Sequence, residues 1–105
     1  MKLSFFFYIS LLLTVLNASE IKWEKDFSSG LSKAKNLNKP LMFIISNHNC
    51  RFCIQYEKNT LKDSKVIENL NKDFINVIVY VDENPTYPRQ LDIPGTPGTW
   101  FIKNN

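Results

Sequence analysis

KPLMFIISNHNCRFC, Lys39 to Cys53, joins an unbroken apolar run to a pair of cysteines. The run LMFII (Leu41–Ile45) is bounded by Pro40 and Ser46. Five consecutive apolar residues between breakers fit a strand buried on both faces, as in a parallel sheet. SNHN (Ser46–Asn49) reads as a loop. Cys50 and Cys53, the chain's two cysteines, then open a helical pattern with Phe52, Cys53, Tyr56 and Leu61 on one face. The cysteines thus fall just past the C-terminal end of a central strand and at the start of a helix. Open α/β sheets place their active sites there.

Working outward, Ile21 and Trp23 alternate with Lys22 and Glu24, the pattern of a short first strand. Asp26 is placed to cap a helix whose face is Phe27, Leu31 and Ala34, and NLNKP (Asn36–Pro40) ends it. Downstream, KDSKVIENLNK (Lys62–Lys72) continues the helical pattern, with Asp63 or Ser64 as cap and Val66, Ile67 and Leu70 inward. FINVIVYV (Phe74–Val81), rich in β-branched and aromatic residues, reads as a second buried strand. Asp82–Pro88 is turn-rich, Arg89–Ile93 reads as a short helix, and TWFIK (Thr99–Lys103) as a last strand. The order is β-α-β-α-β-α-β. Helix-length crossovers between strands predict a mainly parallel sheet with helices packed on it.

The chain has 105 residues and a net charge of +3. That is one domain. The charges are interspersed without a basic run, which argues against nucleic acid as partner. Residues 1–19, MKLSFFFYISLLLTVLNAS, have the layout of a secretory signal: one lysine, an apolar stretch from Leu3 to Leu16, then small residues before a charged segment. The stretch falls short of the ~20 residues that span a bilayer. The competing reading is an uncleaved anchor, and membrane contact is then through this segment alone. Residues 20–105 form the folded domain. An extracytoplasmic, periplasmic setting lets disulfides form and persist.

Two cysteines three apart fit a redox pair, a metal site or a structural disulfide. A thiolate is the nucleophile in disulfide exchange, and a helix N-terminus favours it. Cys50 sits at that end and Cys53 one turn inward, so Cys50 is expected to attack and Cys53 to resolve. Arg51 either favours the thiolate by its charge or is solvated in the first turn. His48 either adds charge and relays a proton or is an exposed loop residue without a role. Phe52, with Tyr56, is expected to pack the helix. A metal module is the first alternative: His48, Cys50 and Cys53 supply three ligands, enough for Cu(I). Structural zinc normally takes four, and there is no further Cys or His. Haem attachment needs histidine after the second cysteine, where Ile54 stands. A non-catalytic protein with a structural disulfide is the second alternative, although so short a loop constrains the unfolded chain little.

KPLMFIISNHNCRFC, KDSKVIENLNKDFINVIVYVDE (62–83) and IPGTPGTWFI (93–102) together resemble the thioredoxin-like superfamily, in particular its secreted C-x-x-C proteins. The resemblance implies a three-layer fold and thiol–disulfide exchange with protein substrates and a redox partner, without a cofactor or bound metal. It implies that Pro97, after Thr96, is the cis proline facing the cysteines, and that Thr96 and Pro97 contact substrate. Redox tuning then falls to His48, Arg51 and Phe52. The chain departs from the pattern at Asn49, where tryptophan is common, at Ile44, where a buried acid is common, and at Arg51-Phe52, where Gly-Pro is common. The family continues past TWFI with a strand and a helix, so at Asn105 the domain is expected to be truncated.

Overall fold

In a computed structural model, which describes residues 19–104, the apolar run becomes the middle strand of a three-stranded sheet. The segment 1–19 read as a signal lies, apart from Ser19, outside the described residues. Strand β1 (Leu41–Ser46) is buried at all six positions. Its parallel partner is β2 (Ile75–Tyr80), with Leu41 opposite Ile75 and Ser46 opposite Tyr80. Its antiparallel partner on the other side is β3 (Gly98–Ile102), with Leu41 opposite Ile102 and Ile45 opposite Gly98.

Alternate residues of a strand point to opposite faces. Leu41, Phe43 and Ile45 therefore join Val77, Val79, and Phe27 and Ala34 of helix α1 (Phe27–Leu37) in one core. Met42 and Ile44 point the other way, to Ile21, Leu61, and Ile67 and Leu70 of helix α3 (Ser64–Asp73). A sheet covered on both faces gives three layers, and this is why β1 has no polar position before Ser46.

Local chemistry sets the helix ends. Asp26 is the N-cap of α1, accepting the Ser29 N–H at 2.8 Å. Asn38 closes it in the left-handed conformation (φ 54°), which asparagine tolerates. Asp63 caps α3 through the N–H groups of Lys65 and Val66, both at 3.1 Å. Gly30 lets α1 approach the sheet, since a Cβ there would stand 2.3 Å from Val77 Cγ2.

Three expectations need correction. Ile21–Trp23 is not a strand but a single bridge, Trp23 to Asn76. Glu24 donates to the Asn76 carbonyl at 2.8 Å, but the Lys22 N–H goes to Asn71 Oδ1 at 2.8 Å, so no ladder extends. The sheet is not mainly parallel. A helical crossover lies only between β1 and β2. The segment from Val81 to Pro97 holds two single 3₁₀ turns, Val81–Glu83 and Arg89–Leu91, and delivers β3 in the opposite direction. The helical pattern after Cys50 is also not continuous. Helix α2 (Arg51–Lys58) ends at Asn59, a 3₁₀ turn follows at Thr60–Lys62, and Asp63 caps α3 afresh.

Candidate active site

Past β1 the chain turns through Asn47, whose side-chain oxygen accepts the Asn49 N–H at 2.9 Å. Such an Asx turn reverses the backbone without secondary structure. Cys50 follows in extended conformation (φ −103°, ψ 119°) as the N-cap of α2. A cap is ordinarily a side-chain oxygen taking one of the helix's unpaired N–H groups. Here sulfur does so: Cys50 Sγ accepts the Cys53 N–H at 3.2 Å. Its other neighbour is the carbonyl oxygen of Thr96, 3.5 Å away. Thr96–Pro97 is a cis peptide.

Both cysteines are free thiols, Cys50 half-buried and Cys53 fully buried. Hydrogen bonding with the Cys53 side chain, then with that of Thr96, holds the Cys50 thiol below its ordinary range. The backbone N–H groups of Cys53 and Phe52 add to this, and desolvation opposes it. The thiolate of the accessible sulfur is thus favoured, and the buried cysteine lies one turn behind it. Tyr56 pins α2 to β3 through a 2.9 Å hydrogen bond between its hydroxyl and that of Thr99.

The structure brings Cys50, Cys53 and Thr96 together, with Pro97 following Thr96 through the cis peptide. His48 it turns elsewhere. Nδ1 of His48 lies 2.9 Å from Asp82 Oδ2, its backbone N–H donates to Asp82 Oδ1 at 3.1 Å, and its ring stacks on Tyr80 at 3.8 Å. Among the described residues no group of three or more His, Cys, Asp or Glu gathers to hold a metal ion, so His48, Cys50 and Cys53 do not form a ligand set. Arg51 is exposed, its guanidinium 5.6 Å from the centre of the Phe52 ring. Phe52 does not pack the helix, as its spacing had predicted. It is 62% exposed, because Cys53 takes the inward position and the preceding residue lies about 100° around the helix.

Sequence reasoning missed Ser46, Glu57, Tyr80 and Asp82. Glu57 accepts from the Ser46 hydroxyl at 3.0 Å and from the Tyr80 hydroxyl at 2.6 Å. The available signal was positional: Ser46 and Tyr80 end the two buried strands, and Glu57 lies four residues, one helical turn, after Cys53.

The His48–Asp82 pair makes stability depend on pH. The Asp82 side chain raises the His48 pKa, and the His48 backbone N–H and ring lower that of Asp82. A raised histidine contributes fully below its unfolded value, about 6.5, and loses its contribution as pH rises through the folded value. A depressed aspartate contributes above about 3.9 and loses its contribution as pH falls through its folded value. The pair should act most strongly between about pH 4 and 6.5. Asp82→Asn is therefore expected to lower the urea midpoint more at pH 5.5 than at pH 8.5, and less in high salt. Equal losses at both pH values would remove the pair from the account.

The chain resembles several known proteins. Residues 8–100 match the family Thioredox_DsbH, described as a protein of unknown function, DUF255. Anterior gradient protein 3 of Mus musculus is 34% identical over 56 residues, which are 53% of this chain and 34% of that protein. Anterior gradient protein 1 of Xenopus tropicalis is 36% identical over 56 residues, 53% of this chain and 30% of that protein. The chain thus spans about a third of the length of these curated relatives. A solved structure, DsbH oxidoreductase, superposes with a TM-score of 0.55 over 73% of this chain and 49% of that one, at 20% identity, a likeness of fold. From the extent of the family match and the shared fold, this chain belongs to the thioredoxin-like Thioredox_DsbH family.

Proposed function

We propose that this protein is an extracytoplasmic thiol–disulfide oxidoreductase that exchanges disulfides with protein substrates through Cys50 and Cys53. The observation that carries the reading is the cap of α2: an accessible sulfur held at a helix N-terminus, with a buried cysteine one turn behind it. The Cys50 thiolate attacks a client disulfide, forming a Cys50–client bond and releasing the client's other sulfur as thiolate. The Cys53 thiolate then attacks Cys50 Sγ. The Cys50–Cys53 bond forms, the bond to the client breaks, and the client leaves reduced. Run backward, the same steps oxidise a client dithiol. A separate redox partner resets the pair.

Thr96, whose carbonyl lies 3.5 Å from the attacking sulfur, and Pro97 after it are the proposed wall for the client chain. Arg51 and Phe52, exposed beside it, are the proposed tuning positions, together with His48. The extracytoplasmic setting rests on the layout of residues 1–19, the proposed signal, with 20–105 as the folded domain. The family match begins inside that signal, at residue 8. Two measurements test the reading: turnover of insulin disulfides by the purified protein, and the equilibrium of its thiols with a glutathione redox series. Turnover with a defined two-electron potential is expected. A pair that neither turns over insulin nor equilibrates as a couple would refute the proposal.

A further inference from the structure

Resolution of the mixed disulfide poses a proton problem. Cys53 is fully buried, and only its thiolate attacks. One helical turn after it stands Glu57, half-buried, its two carboxylate oxygens held by hydroxyls of Ser46 and Tyr80. These two face each other across the C-terminal ends of β1 and β2. Side chains four apart on a helix are neighbours, with Cβ atoms about 5–6 Å apart, a span one water can bridge. Glu57 and Tyr80 also line a cavity of about 140 Å³ with Glu20, Ile21, Leu61 and Lys62. Its volume holds several waters. None of its lining residues belongs to the Cys50–Thr96–Pro97 face.

We propose that Glu57 accepts the proton of Cys53 during resolution and delivers it to water in this cavity, behind the client-binding face. The inference rests on the exchange reading above. The Cys53 S–H bond breaks and its proton passes to the Glu57 carboxylate. The Cys53 sulfur then bonds to Cys50 Sγ, and the client sulfur leaves with the electron pair of the broken disulfide. In the oxidising direction the same carboxyl group returns a proton to Cys53 as it departs. The client disulfide is the oxidant, so no further reagent is needed.

The groups facing Glu57 single it out. Ser46 and Tyr80 donate to it from the strands. Burial, reinforced by Glu57, pushes the Tyr80 phenol up, so Tyr80 stays a donor at working pH. Lys62 and Glu20 stand around the cavity, and beyond Tyr80 the His48 ring is engaged by Asp82, with Glu83 4.0 Å away. Ile44, where the family commonly carries an acid, supplies none.

Reaction of the reduced protein with a chromogenic aryl disulfide separates the steps. Attack by Cys50 releases the first coloured thiolate, and attack by Cys53 the second. Glu57→Gln is expected to slow the second release roughly 100-fold, the scale of a lost general base, and to leave the first within about twofold. Glu57→Asp should recover part of the rate. Tyr80→Phe removes a donor that holds the carboxylate in place, so the second release should slow severalfold while the first is kept. It serves as the independent test if Glu57→Gln does not fold. With both releases intact in the wild type, an unchanged second release in Glu57→Gln overturns the proposal alone, as does an unchanged second release in Tyr80→Phe. A wild type without any second release overturns the exchange reading, and this proposal with it.

Discussion

Cys50→Ser is expected to bring disulfide exchange to the uncatalysed background while leaving the protein folded. The loss follows from chemistry: a serine hydroxyl does not ionise at working pH and cannot form the mixed disulfide. Folding is retained because serine is among the best N-cap residues, and at position 50 its oxygen can take the Cys53 N–H that the sulfur now accepts. A melting temperature at or above that of the wild type, with no insulin turnover, is the expected pair of results. Residual turnover in Cys50→Ser would mean that Cys50 is not the attacking thiol.

Phe43→Ala is expected to cost about 3–5 kcal/mol, the range for emptying a buried aromatic site. Phe43 has no exposed surface, at the centre of the middle strand. Its ring meets Phe27 edge-on at 4.8 Å and Tyr87 at 5.5 Å, so its loss loosens α1 and the segment after β2 together. Domains of this size hold roughly 5–15 kcal/mol in all, and a small core sits at the low end. The variant should be largely unfolded at 37 °C, read as a collapse of the urea midpoint. Phe101→Ala serves as the contrast. That ring is 63% exposed, and its removal should change stability by no more than about 0.5 kcal/mol. A Phe43 loss below about 1 kcal/mol would mean that the core is not where β1 places it.

The central strand and the cap were legible because each is a local pattern. Leu41–Ile45 is apolar without interruption since both faces are covered, and Asp26 and Asp63 stand where helices must start. Direction in the sheet was less legible. The run from Val81 to Pro97 has the length of a crossover but holds no helix, and its 3₁₀ turns return the chain antiparallel. Ile21–Trp23 has the alternation of a strand, yet a side chain 49 residues away, Asn71, takes the N–H that a ladder would need.

Of the residues read as a site, the cysteines were legible as a local motif after a buried strand, and Thr96 and Pro97 only through the resemblance. Phe52 was misread because helical spacing admits two adjacent positions, and only packing decides which of Phe52 and Cys53 turns inward. The cluster of Ser46, Glu57 and Tyr80 was invisible, being separated by 11 and 23 positions and joined only when β1 and β2 pair beneath α2. His48 belongs to the same class: its partner Asp82 lies 34 positions away, beyond the neighbouring strand.

The division of labour between the cysteines is tested most directly by mixing Cys53→Ser with a disulfide-bonded client and taking the intact mass without reductant. The account predicts one client per chain, attached through Cys50, stable for want of a resolving thiol and released by dithiothreitol. A Cys53→Ser protein that carries no client, while the wild type exchanges disulfides, would contradict it.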